Sequence, residues 1–331
     1  MAKEISIVKY CDKYKEKWDD FINTESVNGT FLQSRKFLEY HPIGRFIDNS
    51  LLFLCGSNIV AVIPAHVKCC ERKAFCSHQG STFGGLILGK KFCKIAYLDL
   101  IFEQLNKYLK ENQFEEIILK QTSQIYQRSN SELIDYYLFM NGFECSQELG
   151  YYINFKNYQD EIAENFTASK RRDYRYSLKN DFEFKELCTE EEIRNFYSVL
   201  CDNYKKFDKV PVHTIDELIE FKKSRLMGTV FFYGVFFENE IIAGGMVFSF
   251  ENKVFHTQYL AVAQEKKSIF ANEYLYTKLI ETAKEKGYER ISFGTSTLEG
   301  GKVLNRSLAQ FKEGFGTNEY INRTYRKVTI V

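Results

Sequence analysis

Histidine is scarce in this chain. There are five, and four of them lie in short stretches dense in polar and aromatic residues. His41 closes GTFLQSRKFLEYH (29–41), His78 sits in SHQGSTFGG (77–85), His213 ends Pro211-Val212-His213, and His256 opens the segment HTQYLAV (256–262). An imidazole titrates near neutral pH, so it can take a proton from an incoming nucleophile. His256 is the leading candidate for such a base, with His213 next. The plain alternative for each is a hydrogen-bonded structural histidine.

A second constellation suits anions. In SKRRDYRYSLK (169–179) a helix would place Arg172, Tyr176 and Lys179 on one face, with Arg171 and Arg175 in a neighbouring row. Two rows of guanidinium groups can clamp a diphosphate or a carboxylate. Asp173 is the one acid among them, though a solvated charged face would read the same way. The loops GGLILG (84–89) and GTSTLEGGKVLN (294–305) can bring backbone N–H groups up to a ligand, or serve as turns. Asn305, with Ser296 and Thr297, could meet a sugar hydroxyl or an acyl carbonyl. Arg35 reads either as the partner of Glu39 or Asp48, or as a cation facing the charge of an acceptor.

Other chemistry is excluded or left without support. Nine cysteines have no regular spacing, and no metal-ligand pattern appears. No cysteine sits in an evident pairing with histidine, so nothing suggests a covalent intermediate on the chain. A net charge of +1 gives no reason to expect DNA or a membrane surface as partner. No apolar run approaches 18 residues, and the start, MAKEISIVKY, reads as a charged strand rather than a signal segment. Reduced thiols in a cytoplasm are the expectation.

The elements that must carry these residues occur twice. Leu105–Ser123 (LNKYLKENQFEEIILKQTS) and Leu279–Ser296 (LIETAKEKGYERISFGTS) each read as the end of an amphipathic helix, a charged turn and a short strand closing in Thr-Ser. Hairpin signals precede both, at Gly56-Ser57-Asn58 and at Glu238-Asn239-Glu240. His78 and His256 take equivalent places upstream. The pattern predicts an α/β chain of two similar domains, 1–156 and 157–331, each a mixed, mostly antiparallel sheet flanked by helices. Ligands favour the junction of such halves, and the second half is expected to carry the active site.

This order of elements resembles the Gcn5-related N-acetyltransferase (GNAT, acyl-CoA N-acyltransferase-like) fold. Two such units in tandem resemble the FemABX-like transferases and the BioF2-like acetyltransferase group. The supporting stretches are 29–41, 77–85, 211–213, 256–262 and the tail STLEGGKVLNRSLAQFKEGFG (296–316). The resemblance covers nearly the whole chain and implies a cytoplasmic acyl or aminoacyl transferase acting on an amino-sugar, peptide or other bacterial cell-envelope precursor. It implies direct attack of an amine on an activated acyl donor, with His256 or His213 as base and Tyr259 as acid toward the leaving group. It also makes the Arg-rich segment with Arg172, Arg175, Tyr176 and Lys179 an acceptor clamp, and the reading of the residues adds Arg35, His78 and Asn305 as candidate acceptor contacts.

One departure matters. Acetyl-coenzyme A enzymes of this fold hold the pyrophosphate in a glycine-rich turn. Here the matching segment AQEKKSIFANEY (263–274) has no glycine. Lys266 and Lys267 remain as point charges for phosphate. The expectation is therefore no tightly bound cofactor, with acyl-coenzyme A or another activated donor as co-substrate. Transfer RNA is a less favoured donor, because the basic patch is small. The alternative is a non-catalytic ligand-binding or assembly protein that keeps the fold without a coenzyme A site.

Overall fold

The computed structural model describes residues 4–329 except Ile43, Cys70, His78, Asn130, Phe207 and Asn252, and describes Lys267 by its backbone alone. Contacts gather the chain into two compact units. The first runs to Glu148 and includes Gly300–Lys302 and the residues from Ile321 onward; the second comprises Leu149–Glu299 and Val303–Tyr320.

In the first unit, β1 (Ser6–Lys9), β2 (Leu51–Cys55) and β3 (Asn58–Ile63) pair antiparallel. A second hairpin joins β4 (Ala65–Cys69) to β5 (Lys73–Ser77). Helix α1 (Ile95–Glu111) then carries the chain back so that β6 (Glu116–Lys120) runs parallel to β5. A parallel pair requires such a crossover. The stripe Leu98, Ile101, Phe102, Leu105 and Leu109 buries one face of α1 against the core. Helix α2 (Leu133–Met140) follows and ends before Gly142, whose φ of 77° favours glycine. On its other edge β6 pairs antiparallel with the chain's last strand, Asn318–Val328. This pairing returns the end of the chain to the first unit, so that unit is not one unbroken stretch of sequence.

Strand β7 (Glu144–Asn154) leads into the second unit. Helix α3 (Ala168–Ser177) is capped by the Thr167 hydroxyl, which accepts from the Lys170 N–H. After the short strand β8 (Glu183–Glu186), helix α4 (Glu190–Lys205) opens on a capping box of Thr189 and Glu192. A similar box, Thr214 with Glu217, opens α5 (Ile215–Glu220). The sequence predicts one helix over 214–227, but from Phe221 to Arg225 the turns widen to π geometry. Strands β9 (Val230–Phe237), β10 (Glu240–Phe250) and β11 (Val254–Val262) then form an antiparallel meander. Helix α6 (Ala271–Glu285) crosses over to β12 (Arg290–Thr295), which runs parallel to β11 and antiparallel to Gly150–Asn154 of β7. The order in this unit is β8-β9-β10-β11-β12-β7. Leu275, Leu279 and Ala283, at i, i+4 and i+8 of α6, are fully buried on the sheet. Helix α7 (Arg306–Glu313) completes the unit. Both units are thus mixed, mostly antiparallel sheets with flanking helices, and both contain the same hairpin, crossover helix and parallel strand.

Candidate functional site

The second unit holds a fork between two strands. β11 and β12 pair at Val254 with Arg290, Phe255 with Ile291 and His256 with Ser292. Among the described residues the ladder ends there, although β11 runs on to Val262 and β12 to Thr295. The Thr257 hydroxyl donates to Ser292 O at 3.1 Å and closes the vertex.

A bulge organises the side chains along the fork. Phe248 of β10 faces His256, but Met246 faces Tyr259, because the register slips between Met246 and Val247. The extra residue, Gln258, reverses the alternation beyond it. Residues two apart share a face, so Met246 and Phe248 bring Tyr259 and His256 to the same side. Strict alternation would have separated them.

On that side Tyr259 meets His213. Its hydroxyl and His213 Nδ1 share a hydrogen bond of 2.7 Å, and both residues are buried. His213 lies just before Thr214, the cap of α5. Its backbone carbonyl accepts from the Tyr197 hydroxyl of α4 at 3.1 Å. Two helices therefore set the imidazole against β11. A buried, hydrogen-bonded imidazole and phenol can pass a proton between them, which is the chemistry an acid–base pair requires.

His256 sits in a different environment. Its Nδ1 lies 3.3 Å from Ser292 Oγ, which is also 3.2 Å from the Tyr320 hydroxyl. Burial, with a contribution from the positive charge of Lys312, pushes the imidazole down to about 4. At neutral pH His256 is uncharged and lies well below the value expected of a base poised near 7. Lys312, by contrast, is brought down by burial to about 7. This lysine comes from α7 with 2% of its surface exposed. Its Nζ donates to Gly294 O at 3.0 Å and Thr295 O at 2.7 Å. Gly294 has φ of 67°, and a Cβ there would stand 3.7 Å from His256 Cε1.

The remaining sequence candidates fall elsewhere. Arg172, Arg175, Tyr176 and Lys179 are exposed, so this basic stretch is solvated, and Lys179 lies past the end of α3 at Ser177. Arg172 pairs with its neighbour Asp173 at 3.1 Å, while Tyr176 stacks on Phe270 at 5.6 Å with Lys179 Nζ 4.9 Å above its ring. Arg171 donates to the carbonyls of Ala163, Glu164 and Phe166 and ties down the approach to α3. Asn305 caps α7, its side chain accepting from Leu308 N at 3.2 Å. Arg35, in the first unit, is buried and pairs with Asp48, its guanidinium 3.4 Å from the Tyr10 ring and 4.5 Å from that of Trp18. His78 lies outside the described residues; Cys76 occupies the ladder position in the first unit that matches His256.

The segment after β11 forms a 3₁₀ turn over Gln264–Ile269, followed by Phe270 at φ of 61°. Lys266 Nζ rests 4.9 Å above the Phe237 ring. The side chain of Lys267 lies outside the described residues. Among the described residues no group of three His, Cys, Asp or Glu side chains is placed to hold a metal ion, and no helix is long and apolar enough to cross a membrane.

Sequence reasoning missed Lys312, Ser292 and Tyr320. The signal for Lys312 was present: Ala309 and Lys312, three apart, form the buried stripe of α7. A lysine on an apolar stripe is uncommon without a partner inside.

No family model and no curated protein matches the sequence. Solved structures do match in fold. The chain aligns with FemX over 98% of its own length and 97% of that chain, at 11% identity and a TM-score of 0.69. The fold is a FemABX-like tandem GNAT fold. L-PGS from Bacillus licheniformis shares this tandem fold at 14% identity and a TM-score of 0.62, covering 96% of this chain and 92% of that one. A tandem GNAT protein from the clavulanic acid biosynthesis pathway does so at 8% identity and 0.59, with 98% of each chain covered.

Proposed function

We propose that this protein is an acyl or aminoacyl transferase whose working site is the fork of the second unit, and that it modifies an amine on a cell-envelope precursor. The observation that carries this reading is the buried His213–Tyr259 pair, set by the bulge at Gln258 on the same strand face as His256, where β11 and β12 part. A parted strand leaves main-chain N–H groups at its inner edge, and such groups can hold the carbonyl oxygen of an acyl donor as charge develops on it. The tandem fold shared with FemX, L-PGS and the clavulanic acid pathway protein supports the reaction class.

The proposed step is direct. The amine nitrogen of the acceptor attacks the acyl carbonyl, a C–N bond forms, and the bond from the carbonyl to the donor's sulfur or oxygen breaks. Tyr259 gives its proton to the leaving thiolate or alkoxide, and the proton released by the amine returns to the pair at His213. One proton is lost and one regained, so the pair ends as it began. His256, held neutral, positions Ser292 by hydrogen bonding and does not act as the base near pH 7. The donor is an acyl-coenzyme A or an aminoacylated transfer RNA.

The test is transfer itself. The purified chain is incubated with a panel of coenzyme A thioesters and aminoacylated transfer RNAs, each with amino-sugar nucleotide and peptide precursors, and the acceptors are weighed by mass spectrometry. The proposal expects one donor class to add an acyl mass to an amine, and expects that product to vanish in a His213→Ala, Tyr259→Phe double variant. Precursor binding without any mass gain across the panel would overturn it in favour of a binding protein.

A further inference from the structure

Where paired strands part, the main-chain groups they no longer share must find other partners. Both units meet this demand at the same place and answer it differently. In the first unit β5 and β6 pair last at Cys76 and Ile118. Two residues further on, Lys120 N donates to Ser77 Oγ at 2.8 Å, and Lys120 O accepts from Gly84 N at 3.0 Å. Gly84 is held in turn by Gln33, whose Nε2 donates to Gly84 O at 3.4 Å and to Thr122 Oγ1 at 2.8 Å. Here a main-chain N–H of the chain's own loop meets the carbonyl of the parted strand.

In the second unit the last pair is His256 with Ser292, and the residue two further on is Gly294. Its N–H turns to Ser292 Oγ at 3.3 Å. Its carbonyl, the counterpart of Lys120 O, accepts from the Lys312 amine rather than from a main-chain N–H. The same amine takes the next carbonyl, Thr295 O. At this point β12 also slips register against β7, between Ser292 and Thr295. Among the described residues Lys312 has no carboxylate partner, so these two carbonyls are its polar anchorage.

We propose that Lys312 is a positioning residue that holds the end of β12 away from β11 and so keeps the second fork open as the seat of the acyl donor. The donor part of this inference rests on the transferase reading; the fork itself does not. One buried side chain takes the place of the Gly84 main-chain contact of the first unit.

Hydrogen exchange tests the fork without any substrate. In Lys312→Met the amides of residues 292–297 should exchange at least tenfold faster, while those of α6 keep their protection. Lys312→Arg, which can still donate to two carbonyls, should restore most of the protection. Unchanged exchange in Lys312→Met would overturn the proposal. If Lys312→Met does not fold, Lys312→Gln against Lys312→Arg makes the same comparison. Turnover separates positioning from chemistry: the donor KM should rise at least tenfold in Lys312→Met with kcat within threefold, and a loss confined to kcat would overturn the positioning role. Should the native protein transfer nothing, the transferase reading fails while the exchange result still decides the fork.

Discussion

Tyr259 and His213 are 46 positions apart in sequence, and a hydrogen bond of 2.7 Å joins the phenol to the imidazole. Removing either partner should lower kcat by about 10²–10⁴. The double variant should lose little more than the worse single one, because the two act as a unit; additive losses in steady-state kinetics would contradict that coupling. Lys312 makes a separate prediction about stability. Its ordinary value of 10.5 falls to about 7 in the folded chain. Between those values the unfolded chain binds more protons, so stability rises with pH from 7 toward 10.5, and the burial penalty is in full force below 7. Urea unfolding at pH 7 and pH 9 should show the native protein gaining stability relative to Lys312→Met; parallel changes would mean the amine is not buried. At this scale the sequence picked out His213 and His256 by type and company and ranked His256 first, and the family resemblance added Tyr259. The ranking could not take account of burial and the charge of Lys312, which set the titration of His256 and are not visible in a local stretch.

At the scale of elements, the bulge in β11 is what the sequence conceals. HTQYLAV reads as an unbroken strand, and alternation would turn His256 and Tyr259 to opposite faces. The slip opposite Met246 and Val247 reverses that, and tertiary pairing decides it. The neighbouring Gly244 and Gly245 of β10 show how closely this region packs. A Cβ at Gly244 would stand 2.7 Å from both Phe196 Cδ2 of α4 and the Tyr233 backbone oxygen. The phenyl ring can turn aside, but the backbone oxygen cannot. Gly244→Val should therefore destabilise the second unit by about 1–3 kcal/mol, read as a lower urea midpoint; an unchanged midpoint would show slack that the packing does not suggest. The helices were more legible. Thr189, Thr214 and Thr167 cap where their residue types predict, because N-caps are local chemistry. The basic face of α3 was legible as a helix, and its spacing alone could not choose between a clamp and a solvated face. In the fold its cations are solvated.

At the scale of the whole molecule, the repeat that the sequence states twice reappears as β5-α1-β6 and β11-α6-β12. Periodicity and length carried that information. The last strand's pairing with β6 was not legible, because partner choice at such distances leaves no local mark. Nor could the sequence tell the two forks apart, since the difference lies in what satisfies one carbonyl, Lys120 O in the first unit and Gly294 O in the second. Hydrogen exchange measured with and without the donor that supports turnover tests this asymmetry most directly. New protection is expected at Thr257–Leu260 and 292–296 in the second unit, with 118–123 in the first unit unchanged. Protection at 118–123, with none along β11, would contradict it.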